Sequence, residues 1–122
     1  MRRKGYRGTG CTKRSFNKCE GVCRTYDKIQ TVFADILQND ESVVSFQCNV
    51  LIESGEEKQY TTDFVAVKSD GSTMVRECVW RKNLSRPLTA KLLDISRNYW
   101  RSKGVTDWGI VIEKKEAADE GK

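Results

Sequence analysis

The 122-residue chain contains no histidine. That absence excludes imidazole acid–base catalysis, His-dependent triads and His-ligated zinc, leaving carboxylate, lysine or thiol chemistry. A single proline and nine glycines argue against a low-complexity or disordered chain. No apolar run approaches the ~20 residues of a membrane-spanning helix. The basic opening Met1-Arg2-Arg3-Lys4-Gly5 is followed by none of the apolar stretch that a secretory signal requires. A small, soluble, cytoplasmic protein is therefore expected, with no membrane partner. Its 38% hydrophobic residues suit one modest core, and its length suits a single domain of the usual ~100–150 residues.

The five cysteines, Cys11, Cys19, Cys23, Cys48 and Cys78, are odd in number and follow no secretory signal. Reduced thiols are expected rather than a disulfide framework. Cys11, Cys19 and Cys23 crowd the N-terminal segment, but their C-x7-C-x3-C spacing lacks a CxxC pair. Only Cys48 or Cys78 could complete a ligand set, so spacing alone argues against structural zinc. Cys78 reads as an inert strand residue, with no histidine or other evident base to activate it.

Charge is unevenly distributed. Residues 1–28 carry nine Lys/Arg against Glu20 and Asp27, a local net of +7. Residues 29–80 carry three basic and nine acidic side chains, net −6, and residues 81–112 return to +5. Basic segments around an acidic centre suit a protein that grips phosphates while concentrating carboxylates where a cation can sit. The phosphate-binding candidates are Arg2, Arg3, Lys4, Arg7, Lys13, Arg14, Arg81, Lys82 and Arg86.

Residues 1–24 read as a flexible basic arm, residues 25–113 as one α/β domain, and residues 114–122 as a polar tail. Within the arm, Gly5-Tyr6-Arg7-Gly8-Thr9-Gly10 does not match a dinucleotide loop, and Tyr6 and Phe16 are available for base stacking. Ile29, Val32, Phe33, Ile36 and Leu37 recur at helical spacing between Tyr26 and Gln38. Strand material follows at 43–46 and 49–53. Ser54-Gly55 marks a turn into a strand over 59–67, and Asp70-Gly71 a hairpin into 73–80. Residues 84–103 return to helical period, with Leu84, Leu88, Leu92, Ile95 and Tyr99 as the stripe. Ser85 is the expected N-cap, Pro87 the first turn and Gly104 the stop. A last strand runs over 108–112. The long helix before it is a crossover that would make this strand parallel to its neighbour.

Two carboxylates stand out. Asp63 lies within Tyr60-Thr61-Thr62-Asp63-Phe64-Val65-Ala66-Val67, and Glu77 within Met74-Val75-Arg76-Glu77-Cys78-Val79-Trp80. A carboxylate inside an apolar strand is costly unless it is paired or ligates a metal. Two on hairpin-linked strands can converge on an oxygen-rich site suited to Mg²⁺ or Mn²⁺, which would polarise a phosphoryl group and supply hydroxide. The alternative is that both face solvent and pair with Arg76 or Arg81. Trp80, Trp100 and Trp108 read as core or edge packing.

Residues 30–112 resemble the TnsA family of heteromeric transposase endonuclease subunits. The likeness lies in Asp40-Glu41-Ser42-Val43-Val44-Ser45-Phe46, Tyr60-Thr61-Thr62-Asp63-Phe64 and Arg76-Glu77-Cys78-Val79. It continues through Arg86-Pro87-Leu88-Thr89, Lys91-Leu92, Tyr99-Trp100, Lys103-Gly104-Val105 and Trp108-Gly109-Ile110-Val111. Phage head-completion nucleases share much of this layout. The resemblance implies an α/β, restriction-endonuclease-like mixed sheet flanked by helices, the PD-(D/E)xK fold. It also implies DNA as substrate and a transposase subunit or other protein as partner.

By that resemblance Asp63 is the metal-binding aspartate, although Thr62 replaces the family's proline. Glu77 opens the (E/Q)xK step, whose lysine is Val79 here, and the helix carboxylate is Gln30. Arg81 or Lys91 could stand in for the lysine, and Asp27 for the helix carboxylate, although Arg81 stays protonated and transfers protons poorly. The expected catalytic set is Asp63, Glu77, Gln30 and Lys91, with metal on Asp63 and Glu77. Cleavage would be impaired or altered. The other reading is a catalytically inactive DNA- or protein-binding module on the same fold, a phage or mobile-element inhibitor or accessory protein.

Overall fold

The computed structural model describes residues 12–53 and 59–113. The expectations for Arg2, Arg3, Lys4, Arg7, Tyr6, Cys11, the 54–55 turn and the tail after residue 113 lie outside the described residues. The elements run β1 (Thr12–Arg14), β2 (Cys23–Thr25), α1 (Lys28–Asn39), β3 (Val43–Glu53), β4 (Gln59–Lys68), β5 (Thr73–Cys78), a 3-10 turn (Arg81–Asn83), α2 (Pro87–Ser102) and β6 (Asp107–Val111). Strands β3 to β6 form one mixed sheet in the order β3-β4-β5-β6. The first two pairings are antiparallel, and β6 lies parallel to β5 through the α2 crossover. The mixed α/β class and the parallel last strand are as the sequence predicts. No helix among the described residues is long and apolar enough to cross a membrane.

Residues 12–24, counted with the basic arm by sequence, form with Thr25 an antiparallel pair, Thr12 opposite Thr25 and Arg14 opposite Cys23. This pair packs on the sheet, with Cys19 and Cys23 buried in the same core as Phe46, Phe64 and Ala66. The strand expected in two pieces is one eleven-residue strand, β3. Its register with β4 shifts between Val43 and Ser45, and Asn49 lies in the left-handed region at φ 56°, which asparagine tolerates better than most residues. The Asn49 amide donates to the Arg24 carbonyl at 2.7 Å, tying β2 to β3.

Both helices are rotated from the faces their hydrophobic period suggests. On α1, Ile29, Gln30, Ala34 and Leu37 are buried, while Val32 and Ile36 are about half exposed at 47% and 51%. On α2 the buried residues are Thr89, Leu92, Leu93 and Ser96, and Leu84 and Leu88 of the expected stripe are exposed. In each helix a polar side chain displaces an apolar one from the inner face, because a buried carboxylate awaits it. The expected Ser85 cap is also corrected. Arg86 is the N-cap, with no side-chain bond, since a residue before proline is driven extended and Arg86 (φ −77°, ψ 133°) obeys. Gly104 ends the helix at φ 88°, as the sequence predicts.

The β4–β5 connection is closed by Asp70, which accepts from the Ser72 hydroxyl at 2.6 Å and from its N–H at 2.9 Å. These bonds, the hydroxyl's foremost, hold the Asp70 carboxyl below its ordinary value. A depressed folded-state value means that the turn's stabilisation is present above the unfolded carboxylate range and is lost as pH falls through the folded value. NMR titration of the Asp70 carboxyl carbon should find it ionising below ~3.9, and Ser72→Ala should move it back up. An ordinary value in both proteins would remove this account of the turn.

Candidate functional site

Pairing between β4 and β5 ends at Phe64 opposite Arg76. Beyond it β4 continues only with β3, and β5 only with β6, so the two strands part. Buried backbone N–H groups still require acceptors. Glu77 Oε1 accepts from Asp63 N–H at 3.1 Å, and Asp63 Oδ2 accepts from Cys78 N–H at 2.8 Å. Each carboxylate serves the strand that carries the other. The two acids therefore converge as the sequence reading expects, and the solvent-facing alternative is excluded: Asp63 is 3% and Glu77 0% exposed.

The helices close this pair from either end. Asp27 caps α1 by accepting from Gln30 N–H at 2.9 Å, and Gln30 Oε1 reaches back to Tyr26 N–H at 2.7 Å. This is a variant of the capping box, with glutamine as its third residue. It fixes the amide: with its oxygen on Tyr26, Gln30 turns its nitrogen to Asp63 and donates to Oδ1 at 3.0 Å. From α2, the buried Ser96 hydroxyl donates to Glu77 Oε2 at 2.6 Å and accepts from Trp108 Nε1 at 2.9 Å. All three tryptophans act this way. Trp80 Nε1 donates to Asp27 Oδ2 and Trp100 Nε1 to Thr62 Oγ1, at 3.2 and 2.9 Å, so each indole packs while its N–H finds an acceptor.

Gln30, Asp63 and Glu77 are thus brought together, whereas Lys91 is not. Lys91 is exposed on α2 and makes no contact with either carboxylate among the described residues. Val79, at the lysine's position, is buried at 3%. Arg81 is bound to Glu113, its N–H donating to Oε1 at 2.8 Å and its Nε to the carbonyl at 3.2 Å. Asp27, the alternative helix carboxylate, is occupied as the α1 cap. Ser96 was missed by sequence reasoning. Its signal was a small polar residue on the inner face of an amphipathic helix, readable only once that face is known.

The arrangement does not fit Mg²⁺ or Mn²⁺ as it stands. All four carboxylate oxygens accept protein hydrogen bonds, and an amide N–H₂ faces Asp63 where a further acidic ligand would sit. Mg²⁺ also retains several waters, and side chains exposed by 3% or less leave little room for them.

Of the basic candidates, Lys13, Arg81, Lys82 and Arg86 are exposed. Arg81, Lys82 and Arg86 all lie on the connection between β5 and α2, directly after the strand that carries Glu77. Arg14 is half-buried, paired with Asp35, and lies 4.5 Å from the Phe16 ring centroid.

Ser96→Ala should cost on the order of 2–3 kcal/mol, because it strands a buried Glu77 oxygen and the Trp108 N–H. Ser102→Ala, which removes an exposed hydroxyl bonded to the Tyr99 carbonyl, should stay within ~0.5 kcal/mol. Urea melts of the two variants decide it, and equal losses would deny the network its structural weight. Gln30→Glu should lose on the order of 3 kcal/mol at pH 8 by setting a second carboxylate against Asp63. Such a pair holds its proton more tightly folded than unfolded, so stability should return as pH falls toward ~5. Melts at both pH values that match wild type would contradict this.

No family model matches the chain, and no curated protein matches it.

Proposed function

We propose that this chain is a DNA-binding protein on a restriction-endonuclease-like fold, similar to the TnsA-type transposase endonuclease subunits, in which metal-dependent phosphodiester cleavage is impaired. The observation that carries this reading is the Gln30 amide on Asp63. Where a nuclease of this type presents a carboxylate to a cation, this chain presents a hydrogen-bond donor to a carboxylate, with Val79 in place of the general lysine. The element order is in keeping with the fold the resemblance implies: a helix, three antiparallel strands, a helix and a parallel strand.

DNA binding is supported by placement of charge. Arg81, Lys82 and Arg86 form an exposed basic run on the connection from β5 to α2, and Lys13 is exposed separately on β1. Counterion release from the phosphate backbone drives such binding, and salt weakens it.

The test is supercoiled plasmid incubated with the protein in Mg²⁺ and in Mn²⁺, read for both nicking and retardation. Retardation that weakens steeply with salt, without nicking, is the expected result. The Arg81→Ala/Lys82→Ala/Arg86→Ala variant should bind more weakly, with a log–log salt slope shallower by up to ~3. Nicking that is lost in Asp63→Asn would mean that cleavage survives, and absence of retardation would remove DNA as the partner.

A further inference from the structure

Three cysteines separated by up to 28 residues of chain meet at one point. Cys19 lies in the link between β1 and β2, Cys23 on β2 and Cys48 on β3, and their sulfurs all lie within 4.8 Å of one another. Cys19 and Cys23 are buried and Cys48 partly so. We propose that Cys19, Cys23 and Cys48 bind one zinc ion as thiolates, stapling the β1–β2 hairpin to the edge of the main sheet.

Geometry is the first support. A tetrahedral zinc with Zn–S bonds of ~2.3 Å sets neighbouring sulfurs ~3.8 Å apart, and Cys19 Sγ lies 3.9 Å from Cys48 Sγ. A disulfide needs ~2.05 Å, so the thiols are spaced for a shared ion rather than a mutual bond. The three sulfurs supply three of zinc's four positions and leave the fourth to water, as in open three-ligand zinc sites.

Electrostatics is the second support. A tris-thiolate zinc carries a net charge of −1, and Arg14 sits opposite Cys23 in the β1–β2 register. Binding displaces the thiol protons to solvent as each S–H gives way to an S–Zn bond, and no electron transfer is involved.

The placement also has a structural purpose. The β1–β2 pair is too short to stand alone, since isolated two-stranded hairpins are marginal in water. It is held by the Cys19–Phe46 bridge, in which Glu20 N–H donates to the Phe46 carbonyl and Phe46 N–H to the Lys18 carbonyl at 3.1 and 2.8 Å. Strand β3 is a sheet edge, and edges need cover. One ion joining the link, β2 and β3 would hold that cover in place.

The full chain, reduced and reconstituted with zinc, should carry about one zinc per chain by elemental analysis. Cobalt in its place should give thiolate-to-metal charge-transfer absorption. Cys19→Ser, Cys23→Ser and Cys48→Ser should each weaken cobalt binding at least ~10-fold, while Cys78→Ser, outside the cluster, should bind as wild type. Since a core cysteine variant can fail to fold, wild type is also probed by alkylation and mass spectrometry: zinc should protect Cys19, Cys23 and Cys48 and leave Cys78 unchanged. Absence of bound zinc, iron in its place, a disulfide within the trio, or protection that ignores it would overturn the proposal.

Discussion

Where β4 and β5 part company, two backbone N–H groups would be left in the core without acceptors, and the carboxylates of Asp63 and Glu77 take them up. Much of the remaining structure follows from this substitution of side-chain oxygens for strand carbonyls. Each acid has a further oxygen to satisfy, so α1 must present Gln30 to one and α2 must present Ser96 to the other. That requirement sets the rotation of both helices about their axes and leaves Val32, Ile36 and Leu88 facing solvent. Trp108 then fixes β6 to the same point through the Ser96 hydroxyl. A polar centre of this kind specifies one arrangement, since a shift of any element strands a buried group at a cost of about 1–3 kcal/mol.

At this centre Gln30 presents a hydrogen-bond donor to Asp63 rather than a further carboxylate. Its orientation is not free, because the capping of α1 commits the amide oxygen to Tyr26 and leaves only the nitrogen for Asp63. A local helix-capping interaction thus determines the chemistry of a buried centre shared with two strands.

The N-terminal hairpin plays a different part. It brings basic residues and two buried cysteines onto the edge strand β3, where Asn49 bonds to β2. Charge and cover are combined in one short element. It is attached by backbone bonds to Phe46, by the Arg14–Asp35 pair, by the Lys18 and Thr25 bonds to α1 and its C-cap, and by Phe16, Cys19 and Cys23 packed in the core.

Much of the architecture was legible in the chain itself. Helical period located both helices, Asp70-Gly71 located the hairpin, Pro87 and Gly104 bounded α2, and the position of a long helix before the last strand implied a parallel pairing. Asp63 and Glu77 could also be singled out, because acids inside apolar strands demand partners. These signals are local: they depend on backbone preference, capping and the alternation of polarity over a few residues. Tertiary structure alone decided which partners those acids obtained, which helix faces turned inward, and that Cys48 rather than Cys78 meets Cys19 and Cys23. Such choices depend on the register of distant segments and on where a ladder stops. A buried polar atom selects its partner by distance and direction in three dimensions, and spacing along the chain carries neither.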